Sequence, residues 1–263
     1  MPDFDPRMPS IARVYDYILG GKDNFEADRI LAERLTEIGP SIPDAVRENR
    51  TMLARAVQWA AEQGVRQFID LGCGLPTEPS THQTARLVAS DAKIAYVDND
   101  PVVITHLGAL LCKDPAVAII EGDAGDVGAI LGGVSQVIDL SQPACLVMGA
   151  LLHFYERSQA RALVARYAAA LAPGSYVVFS VFEAAPGPAT DQMVKMYSAG
   201  PHPVSIHSVA DLVSFAEDME LLPPGVADAR TWRPGWERVP DPAPRGVWIY
   251  AAMARKTGRP SHS

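Results

Sequence analysis

The sequence predicts an α/β fold built on a mostly parallel sheet, and three observations carry that prediction. From Val65 onward apolar runs alternate with helical stretches, the rhythm of strand, turn and helix that right-handed crossovers require. The first run, Gln67-Phe-Ile-Asp70-Leu-Gly72-Cys-Gly74, ends in an acid and breaks into two glycines, as a buried strand does when it stops at a tight turn. Two more runs also close on acids: Ala95-Tyr-Val-Asp98-Asn-Asp100, and Val117-Ala-Ile-Ile120 followed by Gly122-Asp123. Three strands ending in carboxylates point to a pocket for a cationic or hydroxyl-rich ligand rather than for a bare phosphate.

In chain order, Ile11 to Leu19 is a helical candidate ended by Gly20-Gly21 and followed by Lys22-Asp-Asn24-Phe25. Ser41 to Gln63 carries Val46, Leu53, Ala56, Val57 and Ala60 at helical spacing, with Gly64 where a helix C-cap belongs. Strands are expected over residues 67 to 71, 93 to 98, 117 to 121, 144 to 149 and 175 to 182, with helices over Pro101 to Leu111 and Ser158 to Leu171. The last third departs from this rhythm. A Pro/Gly-rich loop over 184 to 189 precedes a short helix, Asp191 to Tyr197, expected to lie over the pocket as part of a lid. Ser208 is the N-cap of a helix reaching Met219, and Leu221 to Ala227 reads as a sixth strand. Gly246 to Ala254 is the last strand, antiparallel because no helix separates it from the element before it. The expected organisation is a helical extension over 1–64 that packs on the core and closes the site, an α/β domain over 65–256 with a lid-like insertion near 184–206, and a disordered tail over 257–263.

Composition narrows the function. A net charge of −8 opposes binding nucleic acid through a broad basic face. No apolar run approaches the length of a membrane span, and the N-terminus lacks the basic and apolar regions of a signal peptide, so a cytoplasmic protein is expected. Three widely spaced cysteines, Cys73, Cys112 and Cys145, suit reduced thiols and fit neither a disulfide framework nor a zinc site.

Two nucleotide chemistries compete for the glycine turn. A nicotinamide or flavin fingerprint wants a third glycine three residues after the second, and this chain has Thr77 there, after Pro76. Asp70, just before the first glycine, would repel a pyrophosphate but suits an ammonium group or a loop ordered around a zwitterion. Asp70-Leu-Gly72-Cys-Gly74, Asp98 and Gly122-Asp123-Ala124 together resemble the class I S-adenosylmethionine-dependent methyltransferases. The N-terminal run Ile11-Ala-Arg-Val-Tyr15-Asp16-Tyr17-Ile-Leu-Gly20-Gly21-Lys22-Asp23-Asn24-Phe25, with Gln67-Phe-Ile-Asp-Leu-Gly and Tyr96-Val-Asp98-Asn-Asp100-Pro, resembles a bacterial methyltransferase family first catalogued as a domain of unknown function. The resemblance extends from Ser10 to Ala254 and is weakest between 184 and 245.

It implies a Rossmann-like class I methyltransferase fold, with a seven-stranded sheet whose last strand is antiparallel and with S-adenosyl-L-methionine at the carboxyl ends of the first strands. Asp98 would accept hydrogen bonds from both ribose hydroxyls, with Asn99 beside it. Asp123 would meet the adenine amino group next to the backbone N–H of Ala124. Gly72 and Gly74 would pass close to the methionine part, with Asp70 organising the turn, and Met148 and Gly149 would complete the cofactor site. Lys22 and Asn24 would meet the methionine carboxylate or close the pocket. His153, after the fourth strand, is either a general base or a hydrogen-bonded structural histidine.

The implied reaction is in-line displacement at the sulfonium methyl, which needs alignment and exclusion of water and does not strictly need a base. The chain has no Asn-Pro-Pro-Tyr or Asp-Pro-Pro-Tyr run for an exocyclic base amine and no Pro-Cys dipeptide for a pyrimidine carbon. A small-molecule acceptor is expected, with no metal, nucleic acid or membrane partner. Two other readings stand beside this one: a non-catalytic S-adenosylmethionine-binding sensor or partner protein, and an NAD(P)-dependent oxidoreductase on the same fold.

Overall fold

The central strands are largely apolar and buried because helices cover both faces of the sheet. The computed structural model describes residues 5–184, 187–198, 203–237 and 246–258. Three helices come first: α1 (Ile11–Ile18), α2 (Glu26–Ile38) and α3 (Ile42–Glu62). The alternating region follows as β1 (Gln67–Leu71), α4 (Thr81–Val88), β2 (Lys93–Asp98), α5 (Pro101–Leu111), β3 (Val117–Glu121), α6 (Val127–Val134), β4 (Cys145–Met148), a 3₁₀ turn (Leu152–Phe154), α7 (Arg157–Ala170) and β5 (Tyr176–Ala184). The chain closes with α8 (Pro188–Ser198), α9 (Val209–Phe215), β6 (Glu220–Leu221), β7 (Ala227–Asp228) and β8 (Val247–Arg255).

The strand order is β3-β2-β1-β4-β5-β8-β6, with β7 also paired to β8. β1 through β5 are parallel, and β8 runs antiparallel to β5, β6 and β7. All five residues of β1 are buried, as expected of a parallel strand covered on both faces. Alternate side chains divide between two apolar layers: Phe68 and Val178 pack on the side of α3, Ile69 and Val177 on the side of α6 and α7. Because β1 is flanked by β2 on one side and β4 on the other, the order reverses there, and a crevice opens at the carboxyl ends of these strands.

Local sequence sets the helix starts that face this crevice. Asp100 caps α5 by accepting from Val102 N at 2.8 Å, and Pro101 takes the first helical position, where its missing N–H is harmless. Ser80 and Gln83 form a capping box at the start of α4.

The sheet has eight strands among the described residues, where the sequence led to seven. The stretch read as one sixth strand, 221 to 227, is two separate two-residue strands, β6 and β7. Pro223-Pro224 has no backbone N–H to donate to a ladder, and Gly225 sits at φ +80°, so pairing with β8 stops and resumes. α8 begins at Pro188, earlier than expected, and packs against α2. Residues 185–186 and 199–202 of the expected insertion, and 259–263 of the expected tail, lie outside the described residues.

The N-terminal helices are fastened by a buried ion pair. Asp28, with no exposed surface, accepts from Arg13 Nε at 3.0 Å, from Ser10 N at 2.8 Å and from Phe25 N at 2.8 Å. Removing one partner of a buried pair leaves an uncompensated charge and orphaned donors. Asp28→Ala is therefore expected to lower stability by about 3–5 kcal/mol in urea denaturation, and the paired change Arg13→Met with Asp28→Leu by less than that. A loss below about 1 kcal/mol for Asp28→Ala would show that α1 and α2 are held by apolar packing alone.

Candidate functional site

At the crevice lies a cavity of about 620 Å³, bounded by the ends of β1, β2 and β4, by α3, and by α1 with the loop before it. Gly72 and Gly74 shape its floor, with φ of +68° and +67°. These are left-handed values that side chains rarely adopt. A Cβ on Gly72 would also come within 2.9 Å of Leu151 Cδ1, while one on Gly74 would meet nothing within 4 Å. Gly72 N and Cys73 N both donate to Val97 O, at 2.8 and 3.1 Å, so the turn is tied to β2.

Three of the cavity's carboxylates stand at strand ends. Asp98, at the end of β2, accepts from Gly74 N at 2.8 Å through Oδ2 and from Asp100 N at 3.0 Å through Oδ1. Burial pushes its pKa up, the two N–H groups oppose that, and the charge of Asp100 adds to it. Asp70 is also pushed up by burial, against the Thr81 hydroxyl at 2.5 Å and the charge of Arg50. Asp123, exposed after β3, accepts from Gly125 N at 2.6 Å and lies 3.4 Å from the Tyr155 hydroxyl. Ala124 is buried behind it, its carbonyl accepting from Tyr167 Oη at 2.9 Å. Cys73 lines the cavity as a protonated thiol, its pKa pushed well up by burial and then by Asp98 and Asp70.

Of the residues singled out in the sequence, Asp70, Gly72, Gly74, Asp98, Asn99, Asp123, Ala124 and Gly149 come together around this cavity. Lys22, Asn24, Met148 and His153 do not. Lys22 is exposed outside the lining, and Asn24 turns inward to donate to Asp16 Oδ2 at 2.8 Å and to Gly21 O at 3.1 Å. Met148 points into the apolar layer under α6 and α7. His153 is 2% exposed, packed against Phe154 and Phe182 with ring centroids 4.3 and 5.0 Å away, and its Nδ1 has no hydrogen-bond partner. Burial, then the charge of His207, pushes its pKa down to about 3. His153 is therefore not placed to act as a general base: the imidazole does not line the cavity, and burial disfavours its protonated form. Nor does any described residue of α8 line the cavity; α1 and residues 5 to 10 cover that side instead.

Sequence reading missed the contribution of α3, which brings Asn49, Arg50 and Leu53 to the cavity. The signal was Asn49, a polar residue on the apolar stripe Val46, Leu53, Ala56. Its amide joins a hydrogen-bond chain whose direction is fixed at both ends by backbone groups. Ala150 N donates to Ser180 Oγ at 2.9 Å and Ser180 Oγ to Asn49 Oδ1 at 2.7 Å. Asn49 Nδ2 then donates to Tyr15 Oη at 2.9 Å and Tyr15 Oη to Val46 O at 3.1 Å. Ala150, at the cavity wall with φ +52°, is held in a left-handed conformation by this chain.

Fold and site together define a Rossmann-like α/β protein of the class I methyltransferase type. A family model described as S-adenosyl methyltransferase matches residues 1–257, and the chain belongs to that family, whose cofactor is S-adenosyl-L-methionine. The chain is similar to a protein of Thermobifida fusca YX provisionally assigned as a methyltransferase, at 38% identity over 98% of each chain with a TM-score of 0.90. It is likewise similar to a DUF574 family protein of Streptomyces avermitilis MA-4680, at 34% identity over 96% of this chain and 99% of that one, TM-score 0.87. The curated carboxy-S-adenosyl-L-methionine synthase of Shigella boydii serotype 4 (strain Sb227) is 28% identical over 156 residues, which span 56% of this chain and 58% of that enzyme.

The buried imidazole makes a prediction about pH. An unfolded His153 gains its proton below the ordinary value of 6.5, whereas the folded one stays neutral down to about 3. The unfolded state therefore binds more protons in that window, and the folded state loses stability as pH falls through it. Relative to His153→Phe, the wild-type chain is expected to lose up to ~1.4 kcal/mol more per pH unit between about pH 6 and pH 4.5 in urea denaturation. Parallel stability profiles would mean that His153 is exposed to water.

Proposed function

We propose that the protein transfers the methyl group of S-adenosyl-L-methionine to a small-molecule acceptor inside the cavity bounded by β1, β2, β4, α1 and α3. The observation that carries this reading is the Asp98 carboxylate. It is 8% exposed, oriented by two backbone N–H groups, and set between the glycine turn and Asp123 in one cavity. A carboxylate so oriented has acceptor capacity left for the vicinal hydroxyls of a ribose. Asp123 and the N–H of Ala124 would then meet the adenine. Gly72 and Gly74 would border the methionine part, and Gly149 the reacting end.

When bound, the cofactor supplies a methyl group already activated by its sulfonium. The chain's own residues orient the two reactants and exclude water, which is worth on the order of 7–11 kcal/mol in well-aligned model reactions. α1, Leu53 and Phe154 cover the cavity, and the strained turn at Ala150 fixes one wall of it. A cavity of about 620 Å³ falls within the range of sites that enclose a single drug-sized ligand, so little room is left beside a nucleoside cofactor. That supports a small acceptor over a polymer, as does the net charge of −8. Among the described residues no helix is long and apolar enough to cross a membrane, and a cytoplasmic location is part of this proposal.

Asp98→Ala is expected to weaken S-adenosyl-L-methionine binding about 10²-fold by calorimetry, two charge-assisted hydrogen bonds at about 1.5 kcal/mol each, with the circular dichroism of the fold retained. Unchanged affinity would reduce Asp98 to a cap for the turn and remove the ribose assignment.

A further inference from the structure

Among the described residues, the cavity-lining cation Arg50 has no carboxylate within ion-pairing distance; its guanidinium lies 6.0 Å from the centroid of the Tyr15 ring. Arg50 extends from α3, and its Nη2 donates to Leu75 O at 3.2 Å, which sets the guanidinium against the residue that follows the glycine turn. Its Nε is buried and has no hydrogen-bond partner. A guanidinium carries five N–H donors in a planar fork, and a buried donor left unfilled is unfavourable.

The pattern is the more telling because the cavity is rich in carboxylates. Each buried one is taken up elsewhere: Asp98 by Gly74 N and Asp100 N, Asp70 by Thr81, Asp16 by Asp23 N and Asn24, and Asp100 by Ser10, Arg13 and Val102 N. Arg50 acts on Asp70 through space without pairing with it. The arrangement sets a guanidinium with a buried, unpartnered Nε and a buried carboxylate at the same glycine turn, complementary to the two ends of an α-amino-acid zwitterion.

We infer that Arg50 is a binding residue for a ligand carboxylate at the Gly72–Gly74 turn. The carboxylate comes either from the amino-acid end of the methyl donor or from the acceptor. The inference rests on the methyl-donor reading above for the identity of the ligand, and on the buried, unpartnered Nε of a guanidinium that lacks a carboxylate partner for its charge.

The test compares S-adenosyl-L-methionine with its decarboxylated form by calorimetry on the wild-type chain, Arg50→Gln and Arg50→Lys, with thermal unfolding of each variant to verify folding. The wild-type chain is expected to prefer the carboxylated ligand by about 10- to 100-fold. Arg50→Gln is expected to shrink that preference to within about threefold by weakening the carboxylated ligand alone, with Arg50→Lys intermediate. If both variants keep the wild-type preference, ¹³C-acetate is titrated into the cofactor-saturated proteins and followed by NMR. Binding to the wild type and not to Arg50→Gln assigns the carboxylate to the acceptor. An unchanged preference together with acetate binding that is absent or indifferent to Arg50 overturns the inference. Failure of the wild-type chain to bind S-adenosyl-L-methionine would instead overturn the methyl-donor reading, and the acetate titration on the protein alone would still decide the role of Arg50.

Discussion

Three residues at the end of β2, Val97, Asp98 and Asp100, tie together the carboxyl ends of β1 and β3, the start of α5 and the covering segment. Val97 O takes the N–H groups of Gly72 and Cys73, and the Asp98 carboxylate takes that of Gly74, so the glycine turn hangs on β2 at three points. Asp98 O takes Gly122 N, which fixes the exit from β3. Two residues on, Asp100 caps α5 and meets Ser10 and Arg13 of the covering segment. The order of the strands makes this possible, since β2 lies directly between β1 and β3 and all three run the same way. Parallel strands deliver their carboxyl ends to one side, where turn N–H groups without ladder partners need acceptors, and carboxylates supply them.

The cover over the cavity depends on the same point through a second buried charge. Arg13 reaches Asp28 on one side and Asp100 at 3.5 Å on the other, so α1 is bound both to α2 and to the tip of β2. Three buried charges in a row are unfavourable unless each is hydrogen-bonded, and here Asp28 and Asp100 also take backbone N–H groups. An apolar cluster would glue α1 down as firmly. What the charged one adds is position, because guanidinium and carboxylates accept few alternative geometries.

How much of this was legible in the sequence follows from the range of each interaction. β1, β2, β3 and α5 appear at the residues where apolar runs and capping residues place them, since strand length and an Asp-Pro helix start are local properties. The split between β6 and β7 is written in Pro223-Pro224-Gly225, a local signal that competes with the strand pattern of the apolar residues around it. Asn24 was different: its neighbours do not reveal that Asp16, eight residues back, takes its amide. A Cβ on Gly21 would collide with Asp16 Oδ1, so Gly21 is a packing requirement of that carboxylate, while Gly20, at φ +86°, is the helix end itself. His153 follows β4 as a reacting residue would, yet the 3₁₀ turn at Leu152–Phe154 rotates it into the aromatic layer, and no spacing rule reports that rotation.

The hydrogen-bond chain from Ala150 to Val46 bears on how such a site would align a displacement that does not strictly require a base. Its first donor and last acceptor are backbone groups, so neither the Ser180 nor the Tyr15 hydroxyl proton is free to move toward a ligand. Cys73 is held as a neutral thiol and His153 lies outside the cavity, which leaves these two groups unsuited to act as nucleophile or base. Polar groups locked in this way contribute geometry. They bind the wall at Ala150 through β5 and α3 to the covering helix, so a displacement of α1 is felt at the wall the reacting end would touch. A sulfonium methyl requires little more of a protein than a fixed line of approach, and a one-way chain of satisfied hydrogen bonds is a rigid means of fixing it.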